Sequence, residues 1–150
     1  MSAPASDVVL VRPRKVRRVA IPAAIVLVVV FTVVGILLGN SPTGVIFRLS
    51  DQIAMVGIGV LLACGVLLFV RPRVRADLKG VEVRNVIGTQ RYGWDLIQTI
   101  SFPDSAPWAR LELPEDEYVP IMAIQAVDGE HAVKAMRDLR ELRRRVDQQH

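Results

Sequence analysis

Residues 19–38, VAIPAAIVLVVVFTVVGILL, and residues 53–70, IAMVGIGVLLACGVLLFV, contain no Asp, Glu, Lys or Arg. As α-helices they would extend about 30 Å and about 27 Å, close to the thickness of a hydrocarbon core. The uncharged stretches run slightly beyond these limits, with 29 residues between Arg18 and Arg48 and 19 from Gln52 to Val70. Pro22 falls in the first turn, where its missing N–H costs little. A small soluble domain seldom hides two such runs as core helices, so residues 19–70 are expected to form a transmembrane hairpin. A cleaved signal peptide fits less well, because the apolar core is too long and no Ala-x-Ala-like site follows Leu38.

The flanks predict an orientation. Arg12, Arg14, Lys15, Arg17 and Arg18 precede the first run, in a basic tail over residues 1–18. Arg71, Arg73, Arg75 and Lys79 follow the second run, while the connecting loop holds only Arg48, close to Asp51. The positive-inside rule then places both termini in the cytoplasm, with a multi-pass hairpin in the plasma membrane. Residues 71–150 carry 13 positive and 13 negative side chains. The chain's net charge of +4 therefore belongs to the membrane flanks. It does not describe a basic domain, and nucleic acid is not an expected partner. Neither span holds an ionisable carboxylate, amine or guanidinium, which points to an anchor rather than a transporter or proton relay. Gly35 with Gly39, and Gly59 with Ala63, have the spacing that lets helices approach closely, either within the hairpin or between two copies.

From Arg73 the apolar period changes to two. Val74, Ala76 and Leu78, then Val81 and Val83 across Lys79-Gly80, predict a tight β-hairpin. Further short strands are expected near 90–92, 98–102, 108–113 and 118–124, the last at an edge because it contains Pro120. Asp128 has the composition of an N-cap. Behind it Ala132, Ala135, Met136, Leu139, Leu142 and Val146 form a stripe at helical spacing. The expected fold is a two-helix transmembrane hairpin plus an α+β domain over residues 71–150, an antiparallel sheet capped by a C-terminal amphipathic helix.

Two spans followed by Gly-x-x-x-x-Asn-x-x-Gly-Thr at 80–89, Tyr-Gly-Trp-Asp-Leu-Ile at 92–97 and a helix opening Asp-Gly-Glu at 128–130 resemble bacterial membrane proteins with a pleckstrin-homology (PH)-like domain. The nearest resemblance is to the low molecular weight protein antigen 6 family. That resemblance implies a PH-like, barrel-like sheet capped by one helix, and it implies no established activity. In eukaryotic relatives a basic cluster in the first hairpin binds phosphoinositides. Here that hairpin holds Lys79 and Arg84 but also Asp77 and Glu82.

Chemistry is sparse. The two histidines are His131, at the start of the last helix and better suited to capping or packing, and His150 at the end of the chain. Cys64 lies in the second span, out of reach of a shared zinc site. No Gly-rich loop ends in Lys-Ser or Lys-Thr, and Glu115, Asp116 and Glu117 read as a solvated turn. No catalytic residue, metal or cofactor is expected. Trp94 and Trp108 are candidate binding aromatics, with core packing as the commoner use. Arg12, Arg14, Lys15, Arg17, Arg18, Arg71, Arg73 and Arg75 are candidates for contact with the membrane surface. Each is worth about 1 kcal/mol near anionic lipid. The expected function is a membrane-anchored interaction or scaffold module without catalysis. Its expected partners are the bilayer, anionic inner-leaflet lipids weakly, and another protein or itself. The alternatives are a sensor of anionic lipid and a non-catalytic subunit of a membrane enzyme complex.

Overall fold

The computed structural model describes residues 7–40 and 48–149. The chain forms two compact units, one built from the segment up to Lys15 together with the chain from Arg71 onward, the other from Val16–Val70.

The second unit is a pair of helices, α1 (Lys15–Gly39) and α2 (Leu49–Leu68). A helix covers each of the two expected apolar runs, with α1 starting earlier than Val19 and α2 starting at Leu49. The Asp51 carboxylate accepts the Arg48 N–H at 2.9 Å and fixes the beginning of α2. Of the connecting segment, residues 41–47 lie outside the described residues, as do Met1 and His150. Both helices are long and apolar enough to cross a membrane, and only 11% of each apolar window is buried. A core helix of a soluble protein would be mostly buried, whereas here Val19, Ile25, Leu37, Ile53 and Leu61 are exposed. The buried positions are small: Ala20, Ala24 and Gly35 on α1, Gly59 and Ala63 on α2. A Cβ on Gly59 would sit 2.6 Å from the Phe31 Cβ, so the small residues serve close packing within this pair. Cys64 is exposed on α2.

Among the described residues, the first unit contains seven antiparallel strands in two sheets. One has the order β1-β2-β3-β4: β1 (Val8–Val11), β2 (Arg73–Asp77), β3 (Gly80–Arg84) and β4 (Thr89–Tyr92). The other has the order β5-β6-β7: β5 (Thr99–Ser101), β6 (Trp108–Glu112) and β7 (Tyr118–Gln125). The two sheets do not close into a barrel. A 3-10 turn (Ala126–Asp128) leads into α3 (Glu130–Gln149), which packs against β1, β2, β5 and β7. All six residues of the predicted helical stripe are buried. They meet Val74, Val81, Leu111, Ile121 and Ile124 in one core. This is the expected helix-capped antiparallel domain, and β7 with Pro120 is an edge strand as anticipated.

Two features depart from the sequence reading. Within the basic tail, Val8–Val11 is a strand, paired with β2 in the register Val8↔Asp77 to Val11↔Val74. The apolar helix pair is therefore inserted between the first and second strands of the domain's own sheet. Asp128 is also not the cap of α3. Gly129, at φ 54°, separates it from that helix and supplies the carbonyl that accepts the N–H groups of Ala132 and Val133. The Asp128 carboxylate instead accepts the backbone N–H of Arg14 at 3.0 Å and of Lys15 at 2.8 Å, at the first turn of α1. An anion there satisfies donors that a helix start leaves unpaired.

Candidate functional site

The tight turn of the first hairpin is locked by its own side chains. The Asp77 carboxylate accepts the Lys79 N–H at 2.9 Å and Arg91 Nη2 at 2.7 and 2.8 Å. The Asp77 carbonyl accepts Trp94 Nε1 at 2.7 Å. A Cβ on Gly80 would overlap the Tyr92 carbonyl oxygen, so only glycine lets β3 start this close to β4. Burial raises the Asp77 pKa, but the bonds from Lys79, Arg91 and Gly80 and the charge of Arg91 outweigh it, leaving the group below its ordinary value. Trp94 is buried and its indole N–H is committed to this turn, so of the two candidate aromatics it serves the core. Trp108, at the start of β6, is half-buried. Lys79 and Arg84 do not form a cluster, because they lie at opposite ends of the hairpin and Arg84 pairs in register with Arg73.

The basic residues expected at a membrane surface divide into groups. Arg12, Arg14, Lys15, Arg17, Arg18, Arg71 and Arg75 are exposed. Arg73 reaches Glu82 at 3.4 Å, and Arg71 Nη1 donates to the Val86 carbonyl at 3.4 Å. Arg71, Arg73 and Arg84 thus share one end of the sheet. Like charges directly opposite each other are unfavourable, and the Nε atoms of Arg73 and Arg84 are both buried without a partner. His131 packs at the start of α3, its ring nitrogen 3.1 Å from the Arg12 carbonyl oxygen.

A further site was not singled out in the sequence. Between β5 and α3 lies a groove of about 1010 Å³. Ile100, Phe102, Val133 and Met136 form its apolar lining, and Arg137, Arg140, Arg143 and Arg144 its basic side, with Asp147 at the margin. Arg140 Nη2 donates to the Ile100 carbonyl at 3.2 Å, on the strand that ends the β5-β6-β7 sheet. Arg143 also reaches Asp147 at 3.9 Å, and Arg144 pairs with Glu141. Arg137, Arg140 and Arg144 recur at three- and four-residue steps, which was the signal present in the sequence. An apolar floor beside a row of guanidinium groups suits an extended segment carrying apolar side chains and carboxylates. The lining contains no Ser, Cys or His. Among the described residues, no three or more His, Cys, Asp or Glu side chains gather to hold a metal.

Seven antiparallel strands in two sheets with a C-terminal helix define a PH-like domain, a class that is generally non-catalytic. Residues 71–142 match the family model of the bacterial PH domain. That match begins after β1. Similarity to whole proteins extends further. The chain is 46% identical over 136 residues to the uncharacterized protein Rv1417 of Mycobacterium tuberculosis, covering 91% of this chain and 88% of that protein. The same figures hold for the uncharacterized protein Mb1452 of Mycobacterium bovis. No solved structure matches the chain.

Proposed function

We propose that this protein is a membrane-anchored, non-catalytic interaction module. In this reading α1 and α2 cross the plasma membrane as a hairpin, and the PH-like domain and both termini lie at the cytoplasmic face. The observation that carries the reading is the pairing of β1 with β2. The strand before the first apolar helix and the strand after the second are neighbours in one sheet, so both flanks of the helix pair must lie on the same side of any bilayer. Two crossings meet that requirement and one does not. The excess of Lys and Arg on the flanks over the connecting segment then favours the cytoplasm as that side. The basic groove between β5 and α3 supports a protein partner with an acidic, partly apolar segment. The charges of Arg71, Arg73 and Arg75 support a weak accompanying attraction to anionic lipid.

Cysteine labelling tests the topology. In a Cys64→Ala background, Ser41→Cys should react with an impermeant thiol reagent on intact cells. Gln149→Cys should react only after permeabilisation. The opposite pattern would overturn the orientation, and labelling of both in intact cells would overturn the anchor.

A second reading, a sensor of anionic headgroups, is favoured by the opposed Arg73 and Arg84 with their unpartnered Nε atoms. It requires selective, salt-resistant binding to one headgroup among lipids of equal charge.

A further inference from the structure

Asn85-Val86-Ile87-Gly88 joins β3 to β4. Ile87 is 92% exposed, more than any other large hydrophobic side chain among the described residues, those of α1 and α2 included. A single exposed isoleucine is ordinary on a protein surface. What distinguishes this one is where it is held and how firmly. The Asn85 N–H donates to the Gly88 carbonyl at 2.9 Å and closes the loop. The Asn85 side chain donates to the Pro120 carbonyl at 2.8 Å and accepts the Met122 N–H at 3.2 Å, which ties the loop root to β7 in the other sheet. The loop is therefore an anchored projection whose apolar tip points away from the core.

Its place in the chain gives the occupant. Arg73 pairs with Arg84, so the loop after Arg84 emerges at the end of the sheet where the chain arrives from α2. Arg71, which directly follows the last residue of the second apolar run, donates to the Val86 carbonyl at 3.4 Å. An exposed isoleucine is thus one hydrogen bond from the residue that leaves the apolar segment, with Arg71, Arg73 and Arg84 around its base. Guanidinium groups at headgroup level below an apolar tip are the chemistry of an interfacial lipid contact. We propose that the β3–β4 loop seats Ile87 in the interfacial layer of the bilayer, as a contact additional to the two helices. This rests on the anchored reading above, and the occupant is the lipid surface itself.

The test uses the full chain in a Cys64→Ala background, reconstituted in vesicles of phosphatidylcholine and phosphatidylglycerol. Nitroxide spin labels are placed at Leu61→Cys on α2, Ile87→Cys at the loop tip, and Lys79→Cys at the opposite end of the same hairpin. Collision with oxygen, which concentrates in the bilayer, is compared with collision with a water-soluble nickel chelate. Position 61 should strongly favour oxygen, position 87 should favour it to an intermediate degree, and position 79 should match a label in water. Because Ile87 is exposed, its replacement leaves the core intact. If position 61 favours oxygen while position 87 behaves like position 79, the loop contact is overturned and the anchor stands. If position 61 is itself water-like, the anchor falls and the loop contact with it.

Discussion

Asp77 holds the β2–β3 turn through a carboxylate that the Lys79 N–H and the Arg91 guanidinium both contact. Its pKa is depressed below the ordinary 3.8 in the folded chain. A depressed carboxylate contributes stability that is present above its unfolded pKa and is lost as pH falls through the folded value. Urea denaturation should therefore show a loss of stability below about pH 4 to which Asp77 contributes. Asp77→Asn should flatten that part of the profile and lower the plateau at neutral pH. An unchanged acid limb in this variant would show that the contact with Arg91 carries no folding energy. At this scale the sequence was only partly readable. The alternation that buries Val74 and Val81 was visible, and so was the tight turn at Lys79-Gly80. The real partner of Asp128 was not, because its contacts lie 113 and 114 positions away and no local pattern encodes them. Asn85 stood within the recognised motif, but its role follows only from seeing Pro120, whose neighbourhood in β7 needs a side chain as hydrogen-bond partner.

Elements were legible in proportion to how much of their burial is written locally. The helix α3 carries its whole buried face in one stripe, and that face was recovered residue for residue. The strand β1 has only four residues, VVLV, beside a basic run and a long apolar helix. Its partner β2 lies beyond that helix pair, so the usual clue of a neighbouring strand was absent. The groove between β5 and α3 is a property of two elements at once. The arginines were visible as a charged face, but the apolar floor beneath them was not. If this groove seats an acidic partner segment, reversing its charge should abolish capture without unfolding the domain. Arg137→Glu combined with Arg144→Glu should remove the partner cross-linked to the wild-type chain in intact membranes, while the melting temperature stays within a few degrees. Exposed charges contribute little to stability, about 0–1 kcal/mol each, which keeps the two readouts separate. Retention of the partner by this variant would move the interaction surface elsewhere on the domain.

At the scale of the whole molecule, the insertion of α1 and α2 between β1 and β2 makes the PH-like domain discontinuous. A chain cut at Arg71, where the family match begins, would lack a strand. It would expose the edge of β2 and lose Val11, which is 95% buried as judged by its 5% exposure. Burying such a side chain contributes about 1.5–3 kcal/mol. It would also strip the buried Asp128 carboxylate of both N–H donors, at about 1–3 kcal/mol or more. Against a typical stability of about 5–15 kcal/mol this is a large fraction. Residues 71–150 alone should therefore be several kcal/mol less stable than a chain in which a short Gly-Ser linker replaces residues 16–70 and keeps β1. Urea midpoints read by circular dichroism decide the matter, with the slope compared as well because exposure of the β2 edge and Val74 should alter it. Equal midpoints and slopes would mean that β1 adds nothing to the fold. The same result would also remove the argument for two crossings, since that argument depends on β1 and β2 being held together.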